Sequence, residues 1–365
     1  MQMKIDVDLI LLSYMFVCFV FLTYNLLTIV LKWVGDRILL RNTKKWKIIL
    51  SKQILKLVEG EEIDESHKIK IEKSLKSVNQ LMAYFRALNK LKKEKVYLQD
   101  YINACYKSYQ NLAYYYRGKD SMDKAYFAIF IAEYTPDVKG EYRTIMSILS
   151  EFMEDSTIYC RENVLKALYS LGNIQAVVNA LEYIEDNEMF HHPKLIADGL
   201  LSFKGNKEEL ALVLWDGRSK WSETMLVAII QYITAAQDNF RAIFYEGLQE
   251  DDIPVEARIA ILRYFQKYRY EPVREFLYTY IKEDYPELNC TIVAASVLKN
   301  YPGEKTIKLL KEALKNPNWY VRNNAAGSLV QLAENEEVFQ SVFDGDDQYA
   351  KEILQYRLEE VRKEG

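Results

Sequence analysis

The longest apolar segment of the chain lies near its N-terminus. Residues 9 to 31 form 23 consecutive positions without a formal charge. As an α-helix this segment would be about 34 Å long, enough to cross a hydrocarbon core of about 30 Å. The residues before this segment lack the basic start of a signal peptide, and no small-residue cleavage site follows it. We therefore predict an uncleaved membrane anchor over residues 1–34, in which Asn25 is a candidate for a hydrogen bond to another membrane helix.

Basic residues are distributed unevenly around this segment. Only Lys4 precedes it, whereas the stretch that follows contains a single acidic residue, Asp36, and eight basic ones: Lys32, Arg37, Arg41, Lys44, Lys45, Lys47, Lys52 and Lys56. The positive-inside rule then places the N-terminus outside and residues 32–365 in the cytosol. Trp33 is expected at the membrane interface, where aromatic side chains are enriched.

Residues 35–97 are predicted to form basic juxtamembrane and linker helices. Within them, Trp46, Ile49, Leu50, Ile54 and Leu57 share one helical face, and Lys44, Lys45 and Lys47 lie near its start. Two interpretations remain open. The helix either lies against anionic lipid headgroups or packs on the rest of the domain.

Beyond residue 60 the pattern is helical throughout, in amphipathic segments separated by short polar breaks. One such helix is expected from Tyr97 to Tyr116. Similar segments then begin near residues 160, 192, 224, 257, 290 and 321, at intervals of 31 to 33 residues. A second amphipathic helix follows each of the first five copies, so the repeating unit is a helix–turn–helix.

A two-helix unit of this kind cannot bury its apolar face alone, and neighbouring units must therefore stack. The predicted fold class is all-α: an α-solenoid over residues 98–365 behind one transmembrane helix. The segment from Tyr349 to Val361 has many charges between its apolar positions. It is predicted to be the helix that caps the stack.

The segment NPNWYVRNNAAGSLVQL, residues 316–332, resembles the second half of a HEAT repeat. Residues 160–171 resemble it too, and the resemblance covers roughly residues 155–335. It implies an α-solenoid that scaffolds other proteins, with Arg161 and Arg322 stabilising contacts between repeats. Membrane-anchored HEAT-repeat proteins of bacteria also occur as accessories of membrane glycosyltransferases, which implies a partner of that class.

Composition and motifs give little indication of catalysis. The net charge of −4 disfavours a nucleic-acid binder, and four widely spaced cysteines indicate reduced thiols. The three histidines lack the spacing of a helical metal site, and no phosphate-binding glycine loop or nucleophile elbow occurs. We therefore predict no catalytic residue, no cofactor and no metal.

The 28 tyrosines are the remaining candidates for a binding surface. Tyrosine is enriched at the centres of protein interfaces. The positions selected on this ground are Tyr109, Tyr115, Tyr264, Tyr268 and Tyr278. The alternative is that these rings fill the spaces between repeats.

The sequence thus favours a non-catalytic, membrane-anchored scaffold whose solenoid binds a membrane-associated protein. The alternative is an enzyme built on HEAT-like repeats, such as a lyase, a hydrolase or a DNA glycosylase, tethered to the membrane.

Overall fold

The computed structural model describes residues 7–92, 97–135, 143–154, 156–250, 252–282, 284–333 and 336–364. Within these ranges the regular structure is entirely helical, as expected for an all-α protein. The chain divides into two compact units, Met1–Ala180 and Leu181–Gly365. These bounds differ from those expected from the sequence, and each unit is described separately.

The first unit is built around the C-terminal half of a 52-residue helix, α1. α1 packs on α3 and α4, α2 packs on α5, and α6 packs on α3 and α8. The expected helix from Tyr97 to Tyr116 is interrupted at Cys105, which separates α4 from α5. The helices are α1 (Val7–Val58), α2 (Glu65–Ser74), α3 (Val78–Lys92), α4 (Leu98–Ala104), α5 (Tyr106–Arg117), α6 (Ser121–Glu133), α7 (Arg143–Glu151), α8 (Ile158–Leu171) and α9 (Ile174–Asp186), the last of which contains the boundary between the units.

Helix α1 runs without a break through the predicted domain boundary at residue 34. Its side chains from Leu11 to Ile38 are almost all exposed, and its first buried residue is Thr43. Among the described residues, α1 is the one helix that is long and apolar enough to cross a membrane. The same helix therefore has a bare apolar half and a half that is packed in the first unit.

Along the chain, the second unit alternates between even-numbered and odd-numbered helices, and the even-numbered ones pack on one another in order. α10 packs on α12, and the same contact recurs between α12 and α14, α14 and α16, α16 and α18, and α18 and α20. The helices are α10 (Pro193–Leu201), α11 (Lys207–Asp216), α12 (Glu223–Ala236), α13 (Arg241–Gly247), α14 (Val255–Lys267), α15 (Arg274–Tyr280), α16 (Leu288–Val297), α17 (Glu304–Ala313), α18 (Trp319–Leu332), α19 (Glu337–Phe343) and α20 (Gln348–Glu364).

Helices α10, α12, α14, α16 and α18 start within two residues of the positions that the repeat pattern predicts, and polar caps explain several of these starts. The Ser222 hydroxyl accepts a hydrogen bond from Met225 N at 3.3 Å in front of α12. Asn318 does the same for α18, accepting from Tyr320 N and Val321 N at 2.9 and 3.3 Å. Such caps satisfy backbone N–H groups that have no partner within the helix.

Hydrogen bonds between residues about one repeat apart align these helices. Glu256 N donates to Glu223 Oε1 at 3.0 Å and joins the first turns of α12 and α14. Lys267 Nζ donates to Thr234 O at 3.0 Å and joins the C-terminal parts of the same two helices. Since first turn meets first turn, α12 and α14 run in the same direction.

Candidate functional site

The packed half of α1 enters the first unit through Trp46, which is only 3% exposed. Its indole Nε1 donates to Gln80 Oε1 at 2.9 Å, and its ring meets Tyr84 edge-on at 5.1 Å between centroids. Leu50 and Ile54 lie one and two turns further on and are fully buried. The amphipathic face thus packs on the protein, which is the second of the two interpretations left open by the sequence.

A second set of contacts fixes the turn after α1. Gln53 Nε2 donates to Asp64 Oδ2 at 2.8 Å, and Asp64 N donates back to Gln53 Oε1 at 3.1 Å. Lys56 Nζ lies 2.7 Å from the other carboxylate oxygen of Asp64. The hydrogen bond from Lys56 lowers the pKa of Asp64 below its usual value. Two side chains of α1 therefore hold the start of α2.

Beside Trp46 lies a buried chain of hydroxyl groups. His67 Nε2 is 2.7 Å from the Tyr101 hydroxyl, which is 3.0 Å from the Tyr84 hydroxyl, and the latter is 2.7 Å from that of Tyr109. Burial raises the pKa of all three phenols. Burial, aided by the nearby charge of Lys70, lowers the pKa of His67 to about 4. These four side chains are therefore uncharged near neutral pH. They also satisfy one another's hydrogen-bonding groups, as the members of a buried network must.

The tyrosines predicted to bind a partner fall into two groups. Tyr109, Tyr264 and Tyr278 are buried. The Tyr264 hydroxyl accepts from Phe240 N at 3.1 Å, and that of Tyr278 lies 2.8 Å from Thr306 Oγ1. These contacts favour the alternative that the rings fill the space between helices, and we do not retain these three as contact residues.

Tyr115 and Tyr268 are half-buried and each lies under a lysine amine. Lys119 Nζ is 4.6 Å from the ring centroid of Tyr115, and Lys267 Nζ is 4.7 Å from that of Tyr268. Cation–π contacts of this kind hold a ring in one orientation at the surface. These two rings remain accessible, but they lie in different parts of the chain. Tyr115 is in α5, and Tyr268 directly follows the end of α14.

The predicted anchor residues lie along α1. The Asn25 amide donates to Phe21 O of its own helix at 2.9 Å. The Arg37 guanidinium lies 3.9 Å from the ring centroid of Trp33. Lys44 and Lys45 are exposed and Lys47 is half-buried.

The two predicted inter-repeat arginines make equivalent local contacts. Arg161 donates to Ser156 O, and Arg322 donates to Asn316 O and Pro317 O at 2.8 and 2.9 Å. Each therefore closes the loop in front of its own helix. Arg322 additionally lies 5.3 Å from the ring centroid of Tyr349, at the start of the next even-numbered helix.

Sequence reasoning missed a row of exposed apolar residues at the starts of five helices of the second unit, α10, α14, α16, α18 and α20. We define this N-terminal row as Leu195, Val255, Leu288, Trp319, Tyr320 and Tyr349. Tyr349 is 67% exposed and Tyr320 61%. The available signal was their position in the chain, because each of these residues is one of the first three of its helix.

No catalytic arrangement of polar side chains stands out in the pockets lined by the described residues. A groove of about 400 Å³ between α17, α19 and the start of α20 contains both lysines and carboxylates. Two of its polar groups have structural roles, since Lys311 Nζ donates to Ser341 Oγ and Asp347 Oδ1 accepts from Ala350 N. Within the described ranges, no three His, Cys, Asp or Glu side chains are placed to hold a metal ion.

Comparisons with known proteins do not assign this chain to a group: no protein-family profile matches it, and no curated protein matches it significantly.

Proposed function

We propose that this protein is a non-catalytic adaptor, anchored in a membrane by α1, whose folded units bind a membrane-associated protein partner. One observation carries the proposal. α1 is a single helix whose apolar half is exposed from Leu11 onwards and whose other half is packed around Trp46. An apolar surface of this length is unfavourable in water, and a bilayer is the environment that its length fits.

The orientation follows from charge. Lys32, Arg37, Arg41, Lys44 and Lys45 lie directly after the apolar half, and the flank before it contains one basic residue, Lys4. Basic flanks remain on the cytosolic side. The folded units therefore belong in the cytosol, with the N-terminus outside.

The second unit is proposed to be a HEAT-like solenoid. Support comes from helix pairs at intervals of about 32 residues, from the consecutive packing of the even-numbered helices, and from hydrogen bonds between residues about one repeat apart. Solenoids use extended surfaces to bind partners. The N-terminal row is the proposed contact surface, because it exposes aromatic and aliphatic side chains at the first turns of α10, α14, α16, α18 and α20. A membrane glycosyltransferase is the partner that the HEAT-repeat resemblance implies.

Affinity capture from native membranes in a mild detergent tests this proposal. The test variant replaces Trp319, Tyr320 and Tyr349 by serine. The matched control is Tyr356→Ser, which removes an exposed tyrosine of α20 outside the row. We expect a protein recovered with the wild type and the control and lost with the triple variant. Equal recovery with all three chains, or no protein enriched by the wild type, would contradict the proposal.

A further inference from the structure

The second half of α1 has an outer face that the first unit does not cover. Trp46, Leu50 and Ile54 point into the unit and are buried. The opposite side is formed by the residues we call the outer face of α1: Arg37, Arg41, Lys44, Ile48 and Leu55. Their spacings of four, three, four and seven residues place them on one side of the helix.

Two large apolar side chains of this face are exposed to solvent. Ile48 is 72% exposed and Leu55 is 49% exposed. Ile48 lies beside Lys44 and Lys52, and Leu55 lies between Lys52 and Glu59. Arg37, Arg41 and Lys44 make no ion pair with a carboxylate among the described residues. Two exposed apolar residues seven positions apart lie on one side of a helix, where both can contact a second helix that runs alongside.

Lipid is a poor occupant for Ile48 and Leu55, the apolar part of this face. Ile48 lies 17 residues beyond Leu31, or about 25 Å along the helix, and Leu55 lies about 36 Å beyond it. The interfacial region of a bilayer leaflet is only about 5–8 Å thick, and electrostatic attraction decays within about 8 Å at physiological salt. Even at a tilt of 40°, Ile48 would remain about 19 Å from the end of the apolar half. α1 has no break that would let this part fold back onto the membrane.

A second copy of the chain is also disfavoured as the occupant. A symmetric contact would bring Arg37, Arg41 and Lys44 against the same residues of the other copy. Like charges facing each other oppose association. The charge of the face is instead complementary to a segment rich in aspartate and glutamate.

We propose that the outer face of α1 docks an acidic amphipathic helix that continues from a membrane span of the partner. Apolar side chains of that helix contact Ile48 and Leu55, and its carboxylates pair with Arg37, Arg41 and Lys44. The bilayer supports this arrangement, because two spans in contact emerge side by side and their continuations run in parallel. The inference rests on the proposed membrane anchoring and specifies how the partner is held.

The test is site-specific cross-linking in native membranes with a photoreactive residue at position 48. A matched control carries the same residue at Ile69, an exposed position of α2 that is away from this face. We expect an adduct with another protein from position 48 alone, at a partner segment next to a membrane span and rich in acidic residues. An adduct with lipid, an adduct with a second copy, or no adduct overturns the proposal.

A variant with Ile48→Ser and Leu55→Ser provides the second measurement. It keeps every charge, so that membrane orientation is preserved. We expect recovery of the partner to fall at least about tenfold, and Ile69→Ser to leave it unchanged. Unchanged recovery with the double variant overturns the proposal.

An alkaline wash of the membranes distinguishes a failure of the proposed membrane anchoring from a failure of the proposed docking. A chain that is removed by the wash contradicts the membrane anchoring itself. A chain that stays in the membrane but gives no adduct contradicts only the docking of an acidic helix on the outer face.

Discussion

At the residue scale, the anchor helix is joined to the first unit by side chains whose partners lie outside α1. Trp46 bonds to Gln80, and Gln53 and Lys56 bond to Asp64. These contacts combine a buried aromatic ring with satisfied polar groups, so that removal of one partner leaves the other without a hydrogen bond.

Replacement of Trp46 by alanine is expected to destabilise the first unit by about 3–5 kcal/mol, because it leaves a cavity and an unpaired Gln80 amide oxygen. Chemical denaturation of the purified protein in detergent, followed by near-ultraviolet circular dichroism, measures this change. Trp33→Ala is the control, because Trp33 is exposed on the same helix. Equal loss of stability in the two variants would show that Trp46 does not join α1 to the unit.

The sequence placed Trp46 on the apolar face of a helix, but it did not determine whether the selected tyrosines are buried or exposed. Tyr109 and Tyr264 were selected for their aromatic character, and both are buried. Their hydroxyl groups are satisfied by Tyr84 and by the backbone N–H of Phe240, and neither partner is adjacent in the chain. Composition cannot distinguish a buried, satisfied phenol from an exposed one, because the difference depends on tertiary partners.

At the element scale, the main feature is the continuity of α1 between its apolar and its packed half. The sequence predicted the two halves as separate domains, since hydropathy and charge change near residue 34. The helix nevertheless continues, because backbone hydrogen bonding is independent of that change. Gly35 lies at this point, and a Cβ atom there would meet no other atom within 4 Å.

Replacement of Gly35 by alanine is expected to stabilise α1 locally by about 0.5–1 kcal/mol, because glycine loses more backbone entropy in a helix. Hydrogen exchange of the amides around residue 35 should therefore slow by about two- to fivefold.

Gly247→Ala is the contrasting substitution in a helix of the second unit. A Cβ atom at Gly247 would lie 2.7 Å from Trp215 Cζ2, so that the change should destabilise that unit.

Faster exchange around residue 35 in the Gly35→Ala variant would indicate that α1 is not helical there.

The repeat pattern was the most informative element-scale signal. It located the starts of α8, α10, α12, α14, α16 and α18 to within a few residues. It did not locate the break at Cys105, where the helical periodicity continues through the interruption.

At the scale of the whole molecule, the described residues form two compact helical units, and the first contains a long helix with a bare apolar half. The helical class and the apolar helix followed from hydropathy alone. The division near residue 180 did not, because amphipathic patterns continue on both sides of it and the boundary lies inside α9.

The most direct measurement is the side of the membrane on which the folded units lie, determined with a membrane-impermeant thiol reagent and a Lys194→Cys variant. Lys194 is exposed at the start of α10. Background from the native thiols should be low, because Cys105, Cys160 and Cys290 are buried and Cys18 lies in the apolar half of α1, which is proposed to lie in the bilayer. Burial also raises the pKa of Cys105 to about 12 and that of Cys290 to about 11. We predict no labelling at residue 194 in intact cells and full labelling in inverted vesicles, with the protein retained after an alkaline wash. Full labelling in intact cells, or release of the protein by the wash, would contradict a cytosolic adaptor anchored by α1.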